Sequence, residues 1–382
     1  MKGNANTIQK HERVEFLDYL RGFMAFAVMI YHYSIWSEFQ YPYPFDQTLS
    51  RLGIYAVSAF YILSGTSLAL VYFNKQVDKT FIKDFSVKRI FRIAPLFYVV
   101  TILTVLLIIA TAIKNNDFSI IPDTKTLLLS FTLLFGWLSP DSYIATGTWS
   151  IGNELVFYSI FPIMLYLKNK SVKVYFIFFL LTIMMTAYVS IFILNSQGSL
   201  TEQWGSYVNP LNQLYLFAGG FFIGVLLKKG IKIKKQILLT ILIASTILFV
   251  FLPTGEVDRI SLIVGYPKLL LSVAVFGLCL FAAFWGNIKQ NVLTRVLKYF
   301  GDVSYSIYLI HPIVYTSLGI VLSVLPISIN IMVFVIVSII ITIAVSRIVY
   351  KYIEVPFMGM GRKVLKKHPQ NRIPVVRIVK NI

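Results

Sequence analysis

Three ionisable side chains stand where a bilayer would make them costly. The stretch "LDYLRGFMAFAVMIYH" (Leu17–His32) is apolar enough to lie in hydrocarbon, yet it holds Asp18, Arg21 and His32. An ionised group near the bilayer centre costs about 2.5–3.5 kcal/mol on insertion scales. On a helix, Arg21 and His32 lie about 20° apart around the axis and about 16 Å apart along it. They therefore share a face, with Arg21 toward the cytoplasmic end and His32 toward the outer end. Asp18 precedes Arg21 by one helical turn, within range of an ion pair. Such a stripe must face protein or a water-filled cavity rather than lipid. The plainer alternative is a snorkelling arginine and a histidine satisfied by a neighbouring helix.

A carboxylate arrives from the other direction. In "GTWSIGNELVFYSIFP" (Gly147–Pro162), Glu154 falls roughly 7 Å inside the outer end of its span, and His32 roughly 6 Å inside its own. A carboxylate beside an imidazole fixes the tautomer and raises the basicity of the ring, which prepares a general base. His32 and Glu154 are thus expected to meet as the catalytic pair, unless Glu154 is held by another group. "FSVKRIFRIAPLFY" places Arg89 and Arg92 on one face of a helix at the cytoplasmic surface. Two guanidiniums at that spacing can grip phosphates with forked hydrogen bonds, or simply anchor topology. "GDVSYSIYLIHP" (Gly301–Pro312) adds a second polar stripe of Tyr305, Tyr308 and His311, following Ser304. His311 should lie below His32; site lining and structural hydrogen bonding are equally open to it. Asp302 and Glu354 fall at inner helix ends, where a structural role is expected.

These residues need a membrane scaffold, and the composition supplies one. Of 382 residues 57% are hydrophobic and only 13% charged, about half the charged share of a soluble domain, and mean hydropathy is +0.75. Spans are read near 17–36, 52–73, 94–113, 150–167, 174–194, 211–227, 237–252, 266–285, 304–322 and 328–350. With a cytoplasmic N-terminus, 30 of the 35 Lys and Arg fall in inner segments, leaving Arg51, Lys114, Lys125, Arg259 and Lys268 outside. That split obeys the positive-inside rule for ten crossings with both termini cytoplasmic. The formal charge of +19 is therefore a topology signal, with attraction to anionic headgroups secondary, and not a nucleic-acid footprint. Thr126–Leu138 is too short to span and is expected to form one re-entrant or interfacial helix on the outer side. The fold class is thus all-α and polytopic, with about ten transmembrane helices plus that short one. Residues 1–16 form a cytoplasmic N-terminal segment, 17–357 the transmembrane domain, and 358–382 a basic cytoplasmic tail without a globular pattern. No cleavage site follows the first apolar run, so a removable signal peptide is not expected. Cys279 is a lone, packed thiol, which excludes a disulfide framework. No inverted duplication of the transporter kind is evident.

In this order the segments resemble the acyltransferase-3 family of integral membrane acyltransferases. Arg21 and His32 meet its pattern of an Arg, ten residues, then a His. "AFYILSG" (Ala59–Gly65) is similar to its second-span motif, Arg89 and Arg92 to its R-x-x-R, "TWSIGNELVFY" to its tryptophan–serine–glutamate segment, and "SYSIYLIHP" to its late Tyr-His segment. "YIEVPF" (Tyr352–Phe357) is also familiar, whereas "YPYPF" (Tyr41–Phe45) matches none of its markers. The resemblance implies transfer of an acyl group, most often acetyl, from cytoplasmic acyl-CoA to a sugar hydroxyl of a surface or lipid-linked glycan such as lipopolysaccharide. It implies a multi-pass protein of the bacterial cytoplasmic (inner) membrane with acetyl-CoA as donor substrate, no resident cofactor, no metal and no nucleic acid, acting alone or with a separate glycan-assembly partner. Arg89 and Arg92 would hold CoA phosphates, with Arg21, Tyr305, Tyr308 and His311 further along the path. His32, oriented by Glu154, would take the acceptor proton, directly or through an acyl-histidine. Asp18, Trp149, Ser150 and Tyr158 would support them. A transporter or flippase of a polar lipid or saccharide would explain buried charges too, but has no evident need for paired arginines on the inner surface. A non-catalytic assembly or sensor subunit needs none of these residues.

Overall fold

A computed structural model describes residues 14–38, 45–254, 259–286, 288–326 and 329–367. Among these, helices are the regular elements and strands are absent, as expected where hydrocarbon cannot satisfy backbone groups. In chain order they are α1 (Glu15–Trp36), α2 (Phe45–Tyr72), α3 (Lys79–Asn115), α4 (Thr124–Phe131), α5 (Phe135–Leu138), α6 (Trp149–Lys170) and α7 (Val172–Tyr188). There follow α8 (Trp204–Val208), α9 (Pro210–Lys228), α10 (Lys235–Phe251), α11 (Gly265–Phe284), α12 (Val292–Asp302), α13 (Ser304–Val324), α14 (Ile331–Val349) and α15 (Val355–Lys367).

All ten expected spans fall on helices. Eight helical segments among the described residues are long and apolar enough to cross a membrane. The other two expected spans are α1, which has 22 residues but carries Asp18, Arg21 and His32, and α10, which has 17. α1 packs against α2, α11, α12 and α13. Its Ala25, Met29 and Tyr33, spaced by four, bury against Val303 and Ile307 at the start of α13. The tightest interface joins α2 to α9, where a Cβ on Gly65 would lie 2.1 Å from the Phe217 carbonyl oxygen and one on Gly220 2.0 Å from that of Ile62. Small residues here let two backbones touch, the usual substitute for hydrophobic drive inside lipid.

Five local expectations need correction. Thr126–Leu138 is not one helix: α4 and α5 are separated at Leu133, whose φ is +61°. Asp123 caps α4 by accepting from the Thr126 N–H at 2.6 Å, which holds its carboxyl below the usual range. α3 starts at Lys79 and runs 37 residues, so Arg89 and Arg92 belong to the spanning helix itself. Beyond the last span the chain is not featureless: a π turn at Tyr350–Glu354 leads into α15, and Gly361 of α15 packs on Phe91 of α3. The rest of the expected basic tail from residue 368, most of the N-terminal segment, and Tyr41–Pro44 of "YPYPF" lie outside the described residues. α12, read from sequence as a basic loop, is a capped helix whose Asn291 and Thr294 exchange backbone and side-chain bonds. Finally, two of the five outer basic residues are not surface anchors. Arg51 is fully buried and donates to the Phe249 and Val250 carbonyls at 2.7 and 2.6 Å. Lys268 is buried on Asn212 Oδ1 at 2.7 Å and Thr186 Oγ1 at 3.1 Å.

Candidate active site

The polar side chains that sequence placed in the membrane divide into two groups. The first surrounds a cavity of about 180 Å³ between α1, α2, α3, α6 and α13. Arg21, Arg89, Arg92, Ser150, Glu154, Tyr158, Tyr305 and Tyr308 all line it, with apolar wall from Val57, Phe60, Leu68, Ile93 and Ile151. Tyr61, Ser64, Ser67 and Ser304 add to the polar lining. Ser64 and Ser67 went unread as site residues although Ser64 lies inside the "AFYILSG" motif; two hydroxyls three apart in a span were the available signal.

Each arginine is held differently. Arg21 Nη1 pairs with Asp18 Oδ1 at 2.8 Å, one turn away as the spacing required. Its Nη2 donates to the Leu63 carbonyl at 3.0 Å and to Ser67 Oγ, bracing α1 on α2. Arg89 lies 5.4 Å from the ring centroids of both Phe85 and Tyr158. Its Nε is buried without a hydrogen-bond acceptor among the described residues. Neither Arg89 nor Arg92 is ion-paired to a carboxylate there. Glu154 is the lone carboxylate in the lining. Its Oε1 accepts from Ser64 Oγ at 3.1 Å and from the Tyr158 hydroxyl. Tyr305 donates to the Ile93 carbonyl at 2.9 Å. The Tyr308 hydroxyl donates to the Gly147 carbonyl at 2.8 Å and lies 2.9 Å from Ser150 Oγ.

The second group is a histidine pair. His32 Nδ1 lies 2.9 Å from His311 Nε2, and His311 Nδ1 lies 3.0 Å from the Ile307 carbonyl. A carbonyl oxygen only accepts, so a neutral His311 carries its proton on Nδ1 and offers the Nε2 lone pair. His32 Nδ1–H then donates to it, which leaves His32 Nε2 unprotonated. Trp36 stacks on His32 with centroids 5.0 Å apart and planes within 9°. Tyr33 holds the assembly by donating to the His311 carbonyl at 2.9 Å.

The expected His32–Glu154 pair does not form. His32 has His311 as its partner, and His311 lies level with it rather than below. Glu154 meets α2 at Ser64, beside the Leu63 carbonyl that anchors Arg21. His32 lies about 16 Å further along α1 from Arg21. Similar distances from two span ends do not fix which helix faces meet. Glu154 turns toward Ser64 of α2 while His32 turns toward α13, and α5 packs on the first turn of α6, where a Cβ on Gly136 would lie 2.3 Å from the Gly152 carbonyl. The shared stripe of Arg21 and His32 also serves two destinations, the cavity and α13. Neither histidine lines the cavity; Tyr308 does, and its ring stands 6.3 Å from that of His311. Trp149 is buried edge-on against Trp204 at 5.6 Å, a packing residue rather than a lining one. Glu354, as expected for a structural group, is buried and accepts from Ser306 Oγ.

With this geometry in view, comparison with known proteins is informative at one level. A family model described as an acyltransferase domain matches residues 14–351, nearly the whole chain. The chain belongs to the acyltransferase-3 family and is a membrane acyltransferase. Neither the curated proteins nor the solved structures contain a significant match.

Proposed function

We propose that the chain moves an acyl group, acetyl by preference, from cytoplasmic acyl-CoA to a hydroxyl of a cell-surface or lipid-linked glycan. Its setting is the bacterial cytoplasmic membrane, with both termini inside, where it works alone or beside a separate glycan-assembly protein. The observation that carries this reading is the imbalance of the cavity, which has three guanidiniums against one carboxylate. Arg89 is half-buried against two aromatic rings and not ion-paired to a carboxylate among the described residues, and a guanidinium so placed is prepared for a phosphate. The apolar wall of Val57, Phe60 and Ile151 suits the arm that carries a thioester.

The acceptor proton is the task of the histidines. His32 Nε2, unprotonated and backed by His311, removes the proton of a hydroxyl as that oxygen attacks the thioester carbonyl. The tetrahedral intermediate collapses with loss of the CoA thiolate. Tyr308, between cavity and histidines, is the residue the thioester passes. Exclusion of water along this route prevents hydrolysis of the donor.

The test supplies membranes containing the protein with labelled acetyl-CoA and follows label into glycan. His32→Ala should abolish transfer, and Arg89→Gln should raise the donor KM. Unchanged transfer in His32→Ala removes the histidine from the reaction.

A further inference from the structure

Resting on that reading, we infer that Glu154 is the receptor for the polar part of the donor's pantetheine arm, and not a base. Three observations point there. Oε1 is already occupied by two hydroxyl donors, Ser64 and Tyr158. Oε2 accepts from no group among the described residues, while the residue lines the cavity. The carboxylate is also tied closely to the cationic end, since Tyr158 binds Glu154 with its hydroxyl and lies 5.4 Å from the Arg89 guanidinium with its ring. The lining therefore combines guanidinium donors to anions, a free carboxylate acceptor joined to them through Tyr158, and an apolar wall. Its complement is a ligand with phosphates, followed within a few bonds by a hydroxyl or amide N–H, followed by a thin chain. A phosphopantetheine has that sequence of groups.

The chemistry argues against a basic role. Oε1 is already committed to two hydroxyl donors, Ser64 and Tyr158. The separation from His32 removes the ring it was expected to orient. A carboxylate accepting an amide N–H or hydroxyl makes a charge-assisted bond, about twice as strong as a neutral one. Converting it to an amide should cost about tenfold in affinity.

Calorimetry on the full-length protein in lipid nanodiscs tests this with two probes. Coenzyme A carries phosphates and arm; adenosine 3′,5′-bisphosphate carries phosphates without the arm. In Glu154→Gln the Kd for coenzyme A should rise about tenfold while that for the bisphosphate stays unchanged. In Arg89→Gln both should rise. Coenzyme A affinity untouched by Glu154→Gln overturns the assignment but leaves the acyl-CoA reading standing. Equal losses for both probes overturn it too, by showing a general effect on fold or field. If the wild-type protein binds neither probe, the donor reading itself fails and takes this one with it. A fall in kcat with an altered pH–rate profile in Glu154→Gln, at constant donor Kd, would restore the carboxylate as a base.

Discussion

His311 should matter through one ring nitrogen. Its side chain is 1% exposed, its Nδ1 is committed to the Ile307 carbonyl and its Nε2 faces His32 at 2.9 Å. In His311→Phe the His32 Nδ1–H loses its acceptor, and the ring is free to carry its proton on the outward nitrogen instead. Losing a buried partner costs about 1–3 kcal/mol, or about 5- to 150-fold. Presenting the wrong tautomer to substrate costs up to about 10⁴ in related triads. Acyl transfer should thus fall by about 10² to 10⁴, with the donor KM unchanged because the histidines lie outside the arginine-lined cavity. His311→Gln keeps an acceptor oxygen near the same place and should retain activity within about tenfold of wild type. The fold should tolerate both, since Tyr33 binds the main-chain carbonyl of residue 311 and not its ring. Initial rates with labelled acetyl-CoA in membranes give kcat and KM for each variant. Equal losses in Phe and Gln variants would refute the tautomer argument, and full activity in His311→Phe would refute the dyad.

Other expectations follow from the same geometry. Arg89→Lys should not rescue Arg89→Gln, because the stack between Phe85 and Tyr158 at 5.4 Å needs a flat cation; donor KM should stay raised at least about tenfold. Gly220→Ala forces a methyl to 2.0 Å from the Ile62 carbonyl and should destabilise by about 1–3 kcal/mol, read as a lowered melting temperature in detergent. Glu15 is held below its usual range by Lys298 at 3.2 Å, which ties α1 to α12. The depressed folded value means this contribution is present above the ordinary glutamate range and is lost as pH falls through the lowered folded value. For a pair that solvent still reaches it is about 0.5 kcal/mol or less, so Lys298→Ala should flatten the acid limb of a stability–pH curve only slightly.

How far the sequence could be read depended on the physics that governs each feature. Helix positions were legible because spanning segments obey two local rules, apolar length and charge sidedness, and all ten expected spans lie on helices. α12 was hidden because its pattern is amphipathic and short, with Arg295 and Lys298 that also serve a topology count. The burial of Arg51 and Lys268 was not legible because charge counting cannot tell a cation at the surface from one buried on oxygen acceptors. Arg21 met Asp18 because one turn of helix fixes that contact, whatever surrounds it. Eight of the twelve named site residues line one cavity, since polar groups in apolar spans have few other places to go. The partner of His32 was different in kind. It depends on which helices pack together and how each is turned about its axis, which no count from a span end contains: α1 meets α13 at His311, and α6 meets α2 at Ser64.

The separation of Glu154 from His32 changes what the first helix does. Were carboxylate and imidazole paired, Arg21 would be a distant accessory to a single centre. Instead α1 joins two chemically distinct stations. One, at Arg21, is rich in guanidinium donors and suited to an anionic donor substrate. The other, at His32, is a ring pair whose free nitrogen suits a hydroxyl. The roughly 16 Å between them follows from ten intervening residues on one helix, so the distance is set by backbone geometry and not by side-chain choice. Inserting a single residue between Arg21 and His32 would lengthen it by only about 1.5 Å but rotate His32 by about 100°, away from His311. Gly22 holds the first half of α1 against Gly301 of α12, where an added Cβ would lie 2.7 Å from the Gly301 nitrogen, so the helix cannot turn back as a whole. Donor affinity should survive such an insertion while transfer is lost, and it is the rotation that accounts for the loss.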